Sequence, residues 1–200
     1  MHYVTESATS LREQKRWETS RRITRWAQRL TDQHGLDGFT MDDLAGSAGV
    51  SRRTLFNYFP SKADAVLGEL PEIPEAAVAE FRTGGPHGNL VDDLTELAHL
   101  VLAVKQPDRE SIELGRRVLT RDPRMLAAAH QRFEVVAEEF AALVLEREGE
   151  GYEPFRARLL LRLVLTLFDS AIESFAQEDE SRSLVDVFDE HIGAARALFA

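Results

Sequence analysis

From Leu11 to Phe199 apolar residues return three and four places apart, and strand-like alternation is nowhere sustained, so the chain reads as all-α. Leu11 to His34 makes a first long helix with Ile23, Ala27 and Leu30 facing a core. The ten residues before it, MHYVTESATS, show no period and read as a flexible arm. Gly35 ends the helix and Phe39 plugs the small core beyond it. Two short helices then follow in quick succession. Leu44, Ala45 and Ala48 form the inner side of the first, which Gly49 closes because glycine accepts the left-handed conformation, and Val50 points back into the junction. On the second, Leu55, Phe56 and Phe59 recur at helical spacing while Arg52, Arg53, Thr54 and Asn57 are left outside, and Pro60 stops it. A helix runs from Lys62 to about Leu70, is interrupted by Pro71 and Pro74, and resumes over 75–82. After the loop TGGPHGN, helices are expected over 90–105, 108–120, 122–148, 154–177 and 183–199, the last two joined by the turn EDESRS. The count is about nine, three in an N-terminal head (residues 11–62) and the rest in a body (63–200).

The short helices carry the chemistry. Thr40 with Asp43 three residues on forms a capping box, Ser51 caps the next helix, Ser61 with Asp64 caps the third, and Asp122-Pro123 opens the long one at 122–148. A small helix–turn–helix whose second helix shows arginines at its N-terminal end has the layout of a major-groove reader. Arg52 and Arg53 each present a fork that matches guanine O6 and N7, or else neutralise phosphate, while Thr54 and Asn57 add hydrogen bonds to base edges or backbone. Phe56 presses on a sugar or thymine methyl, or belongs to the core. Ser51, Thr40 and Lys62 sit at helix N-termini, which favour anions. Arg12, Lys15, Arg16, Arg21, Arg22 and Arg25 crowd the first helix, as a solvated face or as further phosphate contacts.

These residues together resemble the DNA-binding domain of TetR-type transcriptional regulators. The matching positions are Ile23, Ala27, Leu30, Gly35, Thr40, Leu44-Ala45, Ala48-Gly49-Val50-Ser51, Thr54-Leu55, Tyr58-Phe59 and Ser61-Lys62. Phe56 stands where that family usually carries tyrosine, and Thr31 where a larger apolar residue is common. The resemblance implies phosphate contacts from Thr40, Tyr58 and Lys62, a dimer joined through the last two long helices, and a ligand pocket among the middle helices.

Charge sharpens the division. Net charge is −10 overall, yet residues 12–62 hold ten Lys/Arg against six Asp/Glu, about +4, which leaves about −14 for the rest. A basic head on an acidic body suits a protein that meets phosphates at one end only. With no cysteine there are no disulfides, thiolate metal sites or cysteine nucleophiles. The six histidines, at 2, 34, 87, 99, 130 and 191, have no metal-ligand spacing, and no glycine-rich loop follows a strand. No enzyme, metal or cofactor is expected. With no apolar leader in the first twenty residues and no run long enough to span a bilayer, the expected location is the cytoplasm.

In the body, the helices at 154–177 and 183–199 are apolar on more than one side, so each is either fully internal or has a second partner beyond its own core. A second copy of the chain would meet Leu161, Leu165, Phe168, Ile172 and Phe175 on one helix and Val187, Phe188, Ile192 and Ala195 on the other. Candidate pocket residues are His99, Arg116, Arg117, Met125, His130, Phe133, Phe140 and Phe168. His99 also reads as a satisfied core histidine, and the arginines as surface ion pairs or as partners for an anionic effector. The sequence thus describes a homodimeric, effector-responsive regulator of transcription, most simply a repressor, on a palindromic double-stranded operator. The alternative keeps the DNA head but gives the body a protein partner, or dimerisation alone, in place of a small molecule.

Overall fold

Neither glycine nor proline interrupts residues 3–34, and they form one helix, α1 (Tyr3–His34). The structure, a computed structural model, describes residues 3–70, 72–103, 109–177 and 182–199. The helix therefore begins at Tyr3 and not at Leu11, because an apolar period reports a buried side and a helix runs on without one. The side chain of Arg12, Pro71, the stop at Lys105–Pro107 and the turn at 178–181 lie outside the described residues. There follow α2 (Met41–Ala48), α3 (Arg52–Tyr58), α4 (Lys62–Leu67), α5 (Glu75–Arg82), α6 (Leu90–Ala103), α7 (Arg109–Arg121), α8 (Pro123–Glu148), α9 (Pro154–Gln177) and α10 (Leu184–Phe199). That makes ten helices among the described residues where about nine were expected, since α4 and α5 are separate elements. The described residues include no strand, and none of their helices is long and apolar enough to cross a membrane.

Two compact units divide the chain. The first joins Met1–Glu69 to Glu113–Ala129, and the second joins Leu70–Ile112 to His130–Ala200. In the first, Ile23 and Ala27 of α1, Leu44 and Ala48 of α2, and Leu55 and Phe59 share one core with Ala65 and Val66 of α4. Leu114 and Val118 of α7 and Met125 of α8 close the same core. This unit thus runs past residue 62 through α4 and takes in residues 113–129 from the middle of the sequence. Arg117 and Arg121 pair with Asp32 at 3.1 and 2.6 Å, and Arg124 with Asp37 at 2.9 Å, fixing that segment to the end of α1 and the turn after it.

The second unit has two cores. Phe81, Leu94, Leu97, Ala141, Val144 and Leu161 build one, and Leu102, Ala171, Phe175, Leu184, Val187 and Phe188 the other. Beside the first lies a buried ion pair, Arg147 with Asp93, whose side chains are 5% and 0% exposed. Arg147 also donates to the carbonyls of Phe81, Gly84 and Gly85 at 3.2–3.3 Å, and its guanidinium lies 4.7 Å over the Phe81 ring. Burial pushes the Asp93 carboxyl up, but hydrogen bonds from the His87 N–H and Arg147 outweigh it and hold the group below the usual carboxylate range. A charge pair out of water survives only when its hydrogen-bonding capacity is met in this way.

Candidate nucleic-acid interface

The turn before α2 is set by a close approach. A Cβ on Gly38 would come within 2.1 Å of the His34 carbonyl oxygen, so only glycine lets the chain fold back there. Thr40 then caps α2: the Asp43 N–H donates to Thr40 Oγ1 at 3.1 Å, and the Thr40 N–H donates to the Asp43 carboxylate at 2.8 Å. The hydrogen bond from the Thr40 hydroxyl, followed by that from its backbone, holds the Asp43 carboxyl below its ordinary range. Gly49, at φ 64°, closes α2 in the left-handed region, and the Val50 N–H returns to the Ala45 carbonyl at 3.0 Å. Ser51 accepts the Thr54 N–H at 3.0 Å and Ser61 that of Asp64 at 3.1 Å, starting α3 and α4. Each helix start is therefore written in residues three apart.

These devices fix the orientation of α3. Leu55 is fully buried and Phe59 nearly so, which turns Arg52, Arg53 and Asn57 outward to solvent. Phe56 lies on the exposed side at 43% exposure and not in the core. Thr54 is half-buried, its hydroxyl 2.7 Å from that of Ser51. The side chains of Arg53 and Asn57 make no hydrogen bond, ion pair or ring contact among the described residues. Arg52 donates through Nη1 to Asp42 at 3.0 Å and lies 5.6 Å over the Phe56 ring. Tyr58 is half-buried, with the Arg16 guanidinium 5.4 Å from its ring centroid and Arg16 also paired to Glu69 at 3.1 Å. Lys15, Arg22 and Arg25 are exposed on α1.

Lys62 has a use that the sequence did not disclose. Its ammonium donates to the carbonyls of Leu36 and Phe39 at 2.6 and 2.9 Å and sits 5.0 Å from the Phe39 ring. It thereby ties α4 to the turn that delivers Thr40. Gln28 adds a second tie, donating to the Val66 carbonyl at 3.1 Å. Asp42, Gly38 and Gln28 escaped sequence reasoning, and Arg16 was read only as one of a row of basic residues on the first helix. Of these only Gly38, in the run Gly35-Leu-Asp-Gly38, carried a local signal.

The body residues distribute unevenly. Met125 is fully buried in the first unit's core, and Arg116 and Arg117 belong to that unit, Arg117 held by Asp32. His99, His130, Phe133, Phe140 and Phe168 belong to the second. His130 is exposed, Phe140 is half-buried against the first of that unit's cores, and Phe168 packs edge-on to Phe188. His99 lies between two carboxylates, Nε2 2.6 Å from Asp189 and Nδ1 3.5 Å from Glu96. Leu161, Phe175, Val187, Phe188 and Ile192 are buried within the chain itself, and Leu165, Phe168, Ile172 and Ala195 are half-buried. Among the described residues, the large apolar side chains that α9 and α10 leave outside are Phe155, Leu159, Leu163 and Leu198, between 45% and 81% exposed.

Against known proteins, residues 23–67 match the family described as bacterial regulatory proteins, tetR family. The nucleoid occlusion factor SlmA of Vibrio campbellii is 26% identical over 171 residues, 82% of this chain and 87% of that protein. The HTH-type transcriptional regulator TcmR of Streptomyces glaucescens is 26% identical over 164 residues, 78% of this chain and 73% of that one. An uncharacterized HTH-type transcriptional regulator of Mycobacterium bovis is 37% identical over 73 residues, 36% of this chain and 34% of that one.

Proposed function

The chain belongs to the TetR-type regulators, which bind DNA and control transcription, and from that premise we propose that it grips a near-palindromic operator as a cytoplasmic homodimer, represses, and is released by a small lipophilic effector. The observation that carries the DNA half is the outward face of α3. Arg52, Arg53 and Asn57 project from a helix whose other side is locked by Leu55 and Phe59. Two such helices, one per protomer and about 34–36 Å apart, would enter successive major grooves. Thr40 and Tyr58 flank α3 and would meet phosphates, with Lys62 acting through the turn it holds. Dimerisation through α9 and α10 is supported by Phe155, Leu159, Leu163 and Leu198, large apolar side chains left outside the chain's own cores.

The regulatory half is supported by the make-up of the first unit. Residues 113–129 lie in the middle of the body sequence but share the core of Leu55. A ligand that prefers one arrangement of α7 and α8 would bias the head through that core, by as much as its affinity differs between the two arrangements. A second reading, in which the body docks a protein partner and takes no effector, is favoured by the 171-residue match to a protein named for nucleoid occlusion and not for transcription.

Selection of bound sequences from random duplex DNA tests the proposal. A palindromic consensus with half-sites one turn apart, bound less tightly as salt rises, is expected. Arg53→Ala should weaken binding by about 1–3 kcal/mol and relax preference at one position in each half-site. Unchanged affinity and preference would remove Arg53 from the interface. Apolar ligands that raise the thermal midpoint would favour the effector reading over the protein partner.

A further inference from the structure

Of the three polar side chains that α3 turns outward to solvent, Arg52 alone is engaged among the described residues, and its partners come from two helices. Phe56 lies four residues on, the spacing that sets one side chain above another on a helix surface, and its ring underlies the guanidinium at 5.6 Å. Asp42 reaches across from the first turn of α2 and takes the Nη1 donor at 3.0 Å. The Nε and Nη2 donors, one full edge of the fork, have no partner among the described residues. The arginine is thus held by its face and one corner, with the opposite edge presented outward. This also gives a use to Phe56, an aromatic that stands 43% exposed beside the groove-facing residues.

We infer that Asp42 is a specificity-determining residue that positions Arg52 for a guanine edge and withholds it from phosphates. The inference rests on the reading that α3 enters the major groove. A guanine offers two acceptors, O6 and N7, to the adjacent Nε and Nη2 donors, so Arg52 meets it without leaving Asp42. A phosphate is itself an anion, so drawing Arg52 to it sets that charge against the Asp42 carboxylate for the same guanidinium, or leaves Asp42 as an unpaired charge beside the DNA. On the preferred sequence the aspartate therefore saves the cost of ordering a long side chain. On other sequences it removes one cation from the phosphate contacts. A plain alternative exists, because an acid in the first turn of α2 also complements the helix dipole. That role alters the stability of α2 and leaves discrimination between sequences untouched.

The test compares the full-length protein with Asp42→Asn, an isosteric change that removes only the charge, on two duplexes. One carries the sequence enriched by selection, and the other a scrambled sequence of equal length and composition. Asp42→Asn should bind the scrambled duplex about two- to fivefold more tightly, with a salt slope steeper by about one. Its affinity for the selected duplex should hold or fall, so the ratio between the two drops about three- to tenfold. The drop must disappear in an Arg52→Ala background, since Asp42 acts through Arg52. Equal tightening on both duplexes, or a drop that persists without Arg52, would overturn the inference while leaving α3 as the reading helix. If Arg52→Ala and Arg53→Ala both leave either duplex unaffected, the groove-reading assignment itself fails and the inference falls with it. Matched thermal midpoints would establish that the variants are folded.

Discussion

The starts of the short helices in the first compact unit and the loop after α5 in the second are secured by contacts of opposite reach. In the first, the starts of α2, α3 and α4 are each held by side chains three residues apart: Thr40 with Asp43, Ser51 with Thr54, Ser61 with Asp64. In the second, the loop after α5 is held by Arg147, which is 54 residues from its ion-pair partner Asp93 and more than 60 from the carbonyls it anchors. The first arrangement is exposed, cheap to alter and repeated. The second is buried and single. Many small local terms are lost one at a time, whereas a buried charge pair fails when either partner is lost.

The largest expected effect follows from that difference. Arg147→Ala strands the Asp93 carboxylate in the second unit and frees three carbonyls, and should cost about 3–5 kcal/mol. Denaturant unfolding followed by far-UV circular dichroism measures it, because much of the helix lies in that unit. A cost under about 1 kcal/mol would mean that the loop is secured by packing around Phe81 and that the pair is incidental.

A smaller effect marks the first unit. Thr40→Ala removes one cap and should cost about 1 kcal/mol, as should Ser51→Ala and Ser61→Ala. Trp17 and Trp26, the protein's two tryptophans, both sit in this unit, so their emission follows it selectively. Combining Thr40→Ala with Asp43→Ala should cost less than the two singly, since both break the same reciprocal pair. Strict additivity would show that the box is two independent contacts.

The same contrast explains what could be read from the chain. The helix–turn–helix was legible to the level of individual caps because its information is local: a hydroxyl, a carboxylate three residues on, a glycine at the end. Ser183 and Asp186 have the same spacing and form the same box at the start of α10, the Ser183 N–H on the Asp186 carboxylate at 3.1 Å, and they could have been read in the same way. Arg147 and Asp93 gave no such sign, since nothing near either names the other. The apolar richness of α9 and α10 was visible, but not its allotment. Phe175, Val187 and Phe188 serve the chain's own core, while Leu159 and Leu163, one turn apart, face out. Deciding between those sets requires knowing which side the neighbouring helices cover, and that depends on packing between distant segments. Lys62 shows the limit within the head itself: its place at a helix start suggested an anion, and the carbonyls of Leu36 and Phe39 reach it first.

Acid separates the two units most finely. The carboxyls of Asp43 and Asp122 in the first unit and of Asp93 and Asp186 in the second all lie below the ordinary value of 3.8. A folded-state value below the unfolded one means that the stabilisation is complete above 3.8 and is lost as pH falls through the lower folded values. The consequences differ in kind. Protonating Asp43, Asp122 or Asp186 weakens an exposed hydrogen bond, whereas protonating Asp93 leaves the Arg147 guanidinium buried without its counter-charge. On acid titration the far-UV helical signal should therefore begin to fall at a pH where the emission of Trp17 and Trp26 is still native. Arg147→Ala should remove that early step, because its cost is then already present at neutral pH. Coincident transitions by the two probes would mean that the units unfold as one, and the contrast between local and buried anchoring would then describe the structure without describing its energetics.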